Sequence, residues 1–176
     1  MHLCQMNEII SKAGIDDIAG LLNLVNSAYR GESAKKGWTH EADLIEGEKR
    51  IDEKSLQLLL HDPNSVILKY TIDNKIVGCV YLEKQQQNLY LGMLSVSPEI
   101  QAKGIGKKLL KASEDHAKQQ KCNSIEMTVI SVRHELIAWY QRNGYHKTGI
   151  TKPFHNDGRF GIPRKEIEFI VLEKKL

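Results

Sequence analysis

A chain of 176 residues, 41% hydrophobic and 27% charged, is long enough to bury a core of its own and reads as an ordinary globular protein. Its net charge of +3 comes without a Lys/Arg block, so the electrostatic footprint of a nucleic-acid binder is missing. No apolar run reaches membrane-spanning length, and no basic-then-apolar leader opens the chain, so one domain over residues 1–176 is expected in the cytoplasm, with no membrane partner.

The elements follow in chain order. Residues 8–12 read as a first strand. Asp16 offers an N-cap, and Ile18, Leu21, Leu22 and Val25 recur at helical spacing to about Tyr29. The stretch 30–47 is rich in glycine and charge and holds Trp38. A second helix is expected over 52–60, closed by Asp62-Pro63. Segments 65–71 and 76–82 flank Asp73-Asn74, a hairpin signal. In the next strand, 89–96, alternation puts Leu89, Leu91 and Met93 on one face and Tyr90, Leu94 and Val96 on the other. Both faces are apolar, so this strand is central, and Pro98 stops it.

A helix over 107–120 packs through Ile105, Leu109 and Ala112. Residues 125–130 form a strand and 134–143 a short helix ended by Gly144. Strands at 145–147 and 167–172 complete the order β-α-α-β-β-β-α-β-α-β-β. This predicts an α/β fold: a mixed central sheet of about seven strands flanked by about four helices.

Three cysteines, Cys4, Cys79 and Cys122, form no Cys-x-x-Cys pair, which suits a reducing compartment, and Cys79 sits in an apolar strand as a core residue. His134-Glu135 starts like a zinc helix, but Ala138 stands where the second histidine belongs, so no metal is expected.

The most informative stretch is Gln101-Ala102-Lys103-Gly104-Ile105-Gly106, between a buried strand and an amphipathic helix. A helix start offers free N–H groups and a positive dipole end, and glycines admit a phosphate to the main chain. A P-loop fails here, because position 101 is Gln and Gly106-Lys107 is followed by Lys108. A dinucleotide fingerprint fails too, because position 109 is Leu. The remaining pattern, Gln-x-x-Gly-x-Gly after Ser-Val-Ser-Pro, resembles the coenzyme A pyrophosphate loop of the GCN5-related N-acetyltransferases (GNAT). Trp139-Tyr140, followed by Gly144-Tyr145, resembles the same family's aromatic-Tyr-x-x-x-Gly-aromatic segment. Ala28-Tyr29-Arg30-Gly31 with Gly37-Trp38-Thr39 is similar to a subgroup of unsettled substrate.

The resemblance implies acetyl-coenzyme A as co-substrate, released as coenzyme A. Its pyrophosphate would lie on Gln101, Ala102, Lys103, Gly104, Ile105, Gly106 and Lys107, and its pantetheine arm along Leu94, Ser95 and Val96. It assigns Tyr140 as the acid that meets the departing thiolate. A phenol with a reference pKa of about 10 can stabilise a sulfur of about 8.5 by hydrogen bond or proton transfer. Arg133 and Leu136 stand where many members carry Asn and Ala.

No carboxylate lies on 89–96, so the base falls to Glu83, Glu126 or a water chain, and Cys122 has no histidine to activate it. The acceptor pocket is expected between Tyr29, Trp38, Glu41 and Asp43 and the loop 153–163. Glu41 or Asp43 would hold a cationic amine and Arg159 a carboxylate. The expected activity is acetyl transfer to a primary amine of a small molecule, or of a protein, by direct attack in a ternary complex. The competing classes are a non-catalytic acyl-coenzyme A sensor and a nucleotide-binding module. Strand edges near the C-terminus leave room for a homodimer.

Overall fold

The computed structural model describes residues 6–37, 40–100, 103–154, 159 and 161–176. In chain order these form β1 (Glu8–Lys12), a 3-10 turn (Ile15–Asp17), α1 (Ile18–Tyr29), α2 (Gly31–Ala34), β2 (Ile45–Glu46), α3 (Glu53–His61), β3 (Ser65–Ile72), β4 (Lys75–Gln85) and β5 (Asn88–Val96). Then come α4 (Ile105–Gln119), β6 (Ser124–Ile130), α5 (His134–Arg142), β7 (His146–Pro153), β8 (Ile162–Pro163) and β9 (Glu168–Lys175). Seven strands make one sheet in the order β1-β3-β4-β5-β6-β9-β7, while β2 and β8 pair as a separate two-stranded ribbon. Every neighbour in the large sheet is antiparallel except β5 and β6. The expected mixed sheet with helices on both faces is what the chain builds, with α2 and the β2–β8 ribbon as additions.

Local chemistry accounts for most boundaries. Asp73 and Asn74 take φ of 47° and 66°, the left-handed pair that a tight β3–β4 hairpin needs. Asp52 Oδ1 accepts from the Ser55 N–H at 2.7 Å and caps α3. At the first helix it is Asp17 rather than Asp16 that acts: it accepts from the Gly14 N–H at 2.8 Å and pairs with Lys69 at 2.7 Å. No helix among the described residues is long and apolar enough to cross a membrane.

Two apolar layers sandwich the sheet. Leu89, Leu91 and Leu94 of β5 join Ile105, Leu109 and Leu110 of α4 and Ile137 and Tyr140 of α5. Met93, with half-buried Tyr90 against it, joins Leu21, Leu24 and Val25 of α1, Leu56 of α3 and Cys79. This corrects the expected alternation, which put Met93 with Leu91 and Leu94 with Tyr90. Met93 sits at φ 52°, and the β4–β5 register slips between Cys79 and Tyr81. The extra residue of this bulge shifts the phase of everything after it.

Three smaller corrections have local causes. α4 starts at Ile105, and its buried stripe is Ile105, Leu109, Leu110, Ser113 and Ala117, with Ala112 only half-buried. Ser113 fits there because its hydroxyl donates to the Leu109 carbonyl at 2.8 Å. β7 runs from His146 to Pro153, well past the three residues expected. It is exposed along its whole length, so it carries no apolar pattern to be read. Cys122 is buried, although its sequence neighbours are polar.

Candidate active site

β5 and β6 pair at only three positions, Asn88–Ser124, Leu89–Ile125 and Tyr90–Glu126. Beyond Tyr90 the two parallel strands separate, and 91–96 has no ladder partner on its β6 side. β6 instead continues against β9 as far as Ile130–Phe169. The strands open into a cavity of about 510 Å³, walled by Tyr90–Leu94 of β5, Thr128–Ile130 of β6, α5 and the loops after α1 and β7.

The N-terminus of α4 lies outside this lining, with Gly106 beside Trp139 of α5 and Val96 at the end of β5. Gly104 occupies the N-cap at φ 77° and has no side chain of its own to cap the helix. The first intrahelical bond runs from the Lys108 N–H to the Gly104 carbonyl at 3.0 Å. The N–H groups of 105–107 therefore precede any helical acceptor. Among the described residues nothing lies within 4 Å of the point where a Gly104 Cβ would stand. A Cβ on Gly106 would meet the Trp139 indole at 3.3 Å. Lys103 and Lys107 are exposed, whereas Lys108 turns away to Glu8 at 2.6 Å. Ile105 is buried and presents only its backbone.

Tyr140 enters from α5, and the end of that helix explains its spacing from Gly144. The Gly144 N–H donates to the Gln141 carbonyl at 3.0 Å and the Tyr145 N–H to the Tyr140 carbonyl at 3.1 Å, with Gly144 at φ 93°. These paired bonds around a left-handed glycine are a helix stop, sealed by apolar contact across the turn. Here the contact is the Tyr140 ring set edge-on to Tyr145 at 5.8 Å, with Trp139 on Tyr140 at 5.0 Å. The aromatic-Tyr-x-x-x-Gly-aromatic spacing is thus a capping device that also seats Tyr140 in the cavity wall. Burial, reinforced by Tyr29 and Tyr145, holds this phenol well above its usual 10, against a smaller opposing pull from Arg133.

On the α1 side, the Tyr29 hydroxyl donates to the Leu94 carbonyl. Burial pushes that phenol up to about 12 although Arg50 opposes it. Arg50 lies over the Tyr29 ring, 4.6 Å from its centroid. Arg30 and Glu41 form a buried pair at 3.1 Å, and desolvation holds Arg30 below its usual value.

The cavity thus brings together five of the anticipated site residues: Tyr29, Glu41, Leu94, Tyr140 and Arg159. Glu83 is not among them. Its carboxylate accepts from Tyr81 at 3.2 Å and Gln85 at 3.3 Å toward the far end of β4. Glu126 is likewise away from the lining and accepts from Asn88. Asp43 is exposed outside the cavity. The Ser95 side chain is fully buried and donates to the Met93 carbonyl, which leaves only its backbone for a ligand. Val96 is half-buried beside Gly106. Gln101, Ala102 and Trp38 lie outside the described residues. Arg133 lines the cavity with Tyr29 and Tyr140. Arg50 had no sequence signal at all, because it sits in a charged stretch, Glu48-Lys49-Arg50, that reads as solvated loop.

Residues 38–163 match the family model described as an acetyltransferase (GNAT) domain. The chain belongs to the GNAT acetyltransferase family. A probable N-acetyltransferase 14 from Xenopus tropicalis is 38% identical over 76 residues, which are 42% of this chain and 37% of that protein. The chain thus spans just over a third of that relative's length. Three solved structures carry the same fold. The paia N-acetyltransferase of Thermoplasma acidophilum, in complex with coenzyme A, is 20% identical with a TM-score of 0.69, covering 97% of this chain and 100% of its own. The ribosomal-protein-S18-alanine N-acetyltransferase of Escherichia coli is 13% identical with a TM-score of 0.71, over 96% and 94%. The putative acetyltransferase yncA of Salmonella typhimurium, with acetyl-CoA, is 17% identical with a TM-score of 0.67, over 97% and 94%. This GNAT domain shares with them its overall fold, as the TM-scores of 0.67–0.71 record.

Proposed function

We propose that this GNAT domain transfers an acetyl group from acetyl-coenzyme A to the primary amine of a small molecule by direct attack in a ternary complex. The observation that carries the proposal is the parting of β5 from β6 after Tyr90, with Tyr140 in the wall of the opening.

The residues present fit the cofactor. Room beside Gly104 among the described residues and the N–H groups of 105–107 suit a diphosphate, with Lys103 and Lys107 adding positive charge. Main-chain groups of Leu94, Ser95 and Val96, beyond the last β5–β6 pair at Tyr90, suit the amides of the pantetheine arm. Coenzyme A and acetyl-CoA in the two solved relatives support the same choice of ligand.

When bound, the thioester supplies the acetyl group and a sulfur leaving group. The cavity holds amine and acyl carbon together, an arrangement that contributes up to about 7–11 kcal/mol. The Leu94 N–H polarises the acyl carbonyl. Tyr140 donates a hydrogen bond to the departing sulfur as the C–N bond forms and the C–S bond breaks. With its pKa held high, the phenol acts as a donor and keeps its own proton. Among the described lining residues Glu41 is the one carboxylate, and it is committed to Arg30, so the amine's proton leaves through water.

The test is thiol release from acetyl-CoA across an amine panel, with calorimetry of coenzyme A binding alongside. Binding with release above the hydrolysis background supports transfer. Binding with no release from any amine or peptide would leave an acyl-coenzyme A sensor in its place.

A further inference from the structure

Leu94 sits between two peptides whose carbonyls both accept from side-chain hydroxyls. The β4–β5 register passes from Tyr81–Gly92 to Cys79–Ser95, so Met93 and Leu94 lie in the bulge between those pairs. The β5–β6 pairs have already ended at Tyr90. The ladder bonding that orients peptides elsewhere in the sheet is interrupted at these two residues, and side chains take over. The Ser95 hydroxyl donates to the Met93 carbonyl at 3.0 Å, and the Cys79 thiol approaches the same oxygen at 3.8 Å. The Tyr29 hydroxyl donates to the Leu94 carbonyl.

All three donors stand on the α1 side of the sheet. Cys79 and Tyr29 belong to the apolar layer under α1, and Ser95 pairs directly with Cys79, which puts both side chains on one face. The Met93 carbonyl is therefore drawn toward α1. A trans peptide carries its C=O and N–H on opposite sides, so the Leu94 N–H of the same plane is turned toward the other face. That face holds Tyr140, in one apolar layer with the Leu94 side chain.

The two hydroxyls are themselves fixed. Ser95 is fully buried, so its hydroxyl would go unsatisfied if it left the Met93 carbonyl. The Arg50 guanidinium covers the Tyr29 ring, 4.6 Å from its centroid. Asn26 Oδ1 accepts from the Arg50 N–H at 2.7 Å and the Ile51 N–H at 3.1 Å, which ties that cover to α1. Burial pushes the Tyr29 phenol up to about 12, so it remains a donor at neutral pH.

We infer that Ser95 and Tyr29 are positioning residues for acetyl transfer: their hydroxyls pin the two peptides that flank Leu94 and so aim the Leu94 N–H at the acyl oxygen. The inference rests on the acetyl-transfer reading and deepens it. Each hydroxyl acts through Leu94. A donor oriented in advance meets the developing oxyanion without reorganisation, whereas a bulge peptide free to rotate loses that advantage.

Two readouts test the clamp. In difference infrared spectra of the protein with acetyl-CoA carrying 13C at the acetyl carbonyl, the bound C=O stretch should lie below that of the free thioester in water. Ser95→Ala and Tyr29→Phe should each move it back toward the free value. In thiol release with the fastest amine of the panel, each variant should lower kcat about tenfold while the calorimetric Kd for coenzyme A stays native. Ser95→Cys keeps a weaker donor, so it should recover part of both effects, and it takes the place of the alanine variant if that one does not fold. A native stretch equal to the free value, a stretch that either variant leaves unmoved, or an unchanged kcat overturns the inference and leaves acetyl transfer standing. So does a fall in kcat matched by an equal loss of coenzyme A affinity, because that marks packing rather than orientation. A stretch that shifts as expected in a protein that acetylates no amine keeps the clamp and removes only the transfer reading.

Discussion

Tyr140 shows how one side chain serves both packing and chemistry. Its ring closes the end of α5 against Tyr145, and its burial keeps the hydroxyl protonated. Tyr140→Phe keeps the ring contacts and removes the donor. Turnover should therefore fall by roughly 10²-fold with the coenzyme A Kd unchanged, measured by steady-state kinetics and calorimetry. A phenol held above 10 is neutral below that pH, so the native pH–rate profile should show no falling limb from this group up to about pH 10. Glu41 makes the opposite case. Sequence suggested a carboxylate free to hold an amine, yet its Oε2 accepts from both Nε and Nη2 of Arg30. Glu41→Ala should strand a buried guanidinium and destabilise the fold by about 3–5 kcal/mol, read from urea unfolding.

At the scale of elements, helix ends position the site. The Asp17 carboxylate ties the turn before α1 to β3 through Lys69. Its pKa is lowered: burial raises it, but Lys69 and the Gly14 N–H together outweigh that. A depressed carboxylate contributes stability above its unfolded value, near pH 4, and loses it as pH falls through the folded value. Asp17→Asn should therefore cost stability at pH 7, and the difference from native should shrink as unfolding is measured at progressively lower pH below about 4. Among the described residues the start of α4 is open where Gly104 stands and tight where Gly106 meets Trp139. Gly106→Trp should displace the indole and abolish coenzyme A binding by calorimetry, while far-ultraviolet dichroism stays native. Binding at native affinity would remove this terminus from the site.

For the whole molecule, the decisive feature is a sheet that comes apart in the middle. β6 stays joined to β9, and β5 to β4, so the opening lies between two supported halves. A ligand that bridges them should stabilise the fold. Coenzyme A at about 100 times its Kd should contribute about 2.7 kcal/mol. For a domain of this size that raises Tm by roughly 5–10 °C. Amide exchange should slow in 91–96 and in 105–107 while β3 keeps its native rate. A ligand that left 91–96 unprotected would be lying elsewhere.

Much of this was legible along the chain, because local physics decides it. Asp73-Asn74 dictates a hairpin, Asp52 a helix start, Gly144 a helix stop, and the apolar run of 89–96 a strand buried on both faces. The two family motifs are equally local, each a few residues at a helix end. Tertiary structure decided the rest. The bulge at Met93 reversed which side chains of β5 face which layer, and it arises from pairing with β4 rather than from β5 alone. β7 is a polar edge strand that exists because β9 offers it a ladder. The cavity gathers Tyr29, Glu41, Arg50, Arg133, Tyr140 and Arg159 from distant points of the chain. No spacing rule joins such positions. The folded sheet alone brings four arginines, Arg30, Arg50, Arg133 and Arg159, to one opening.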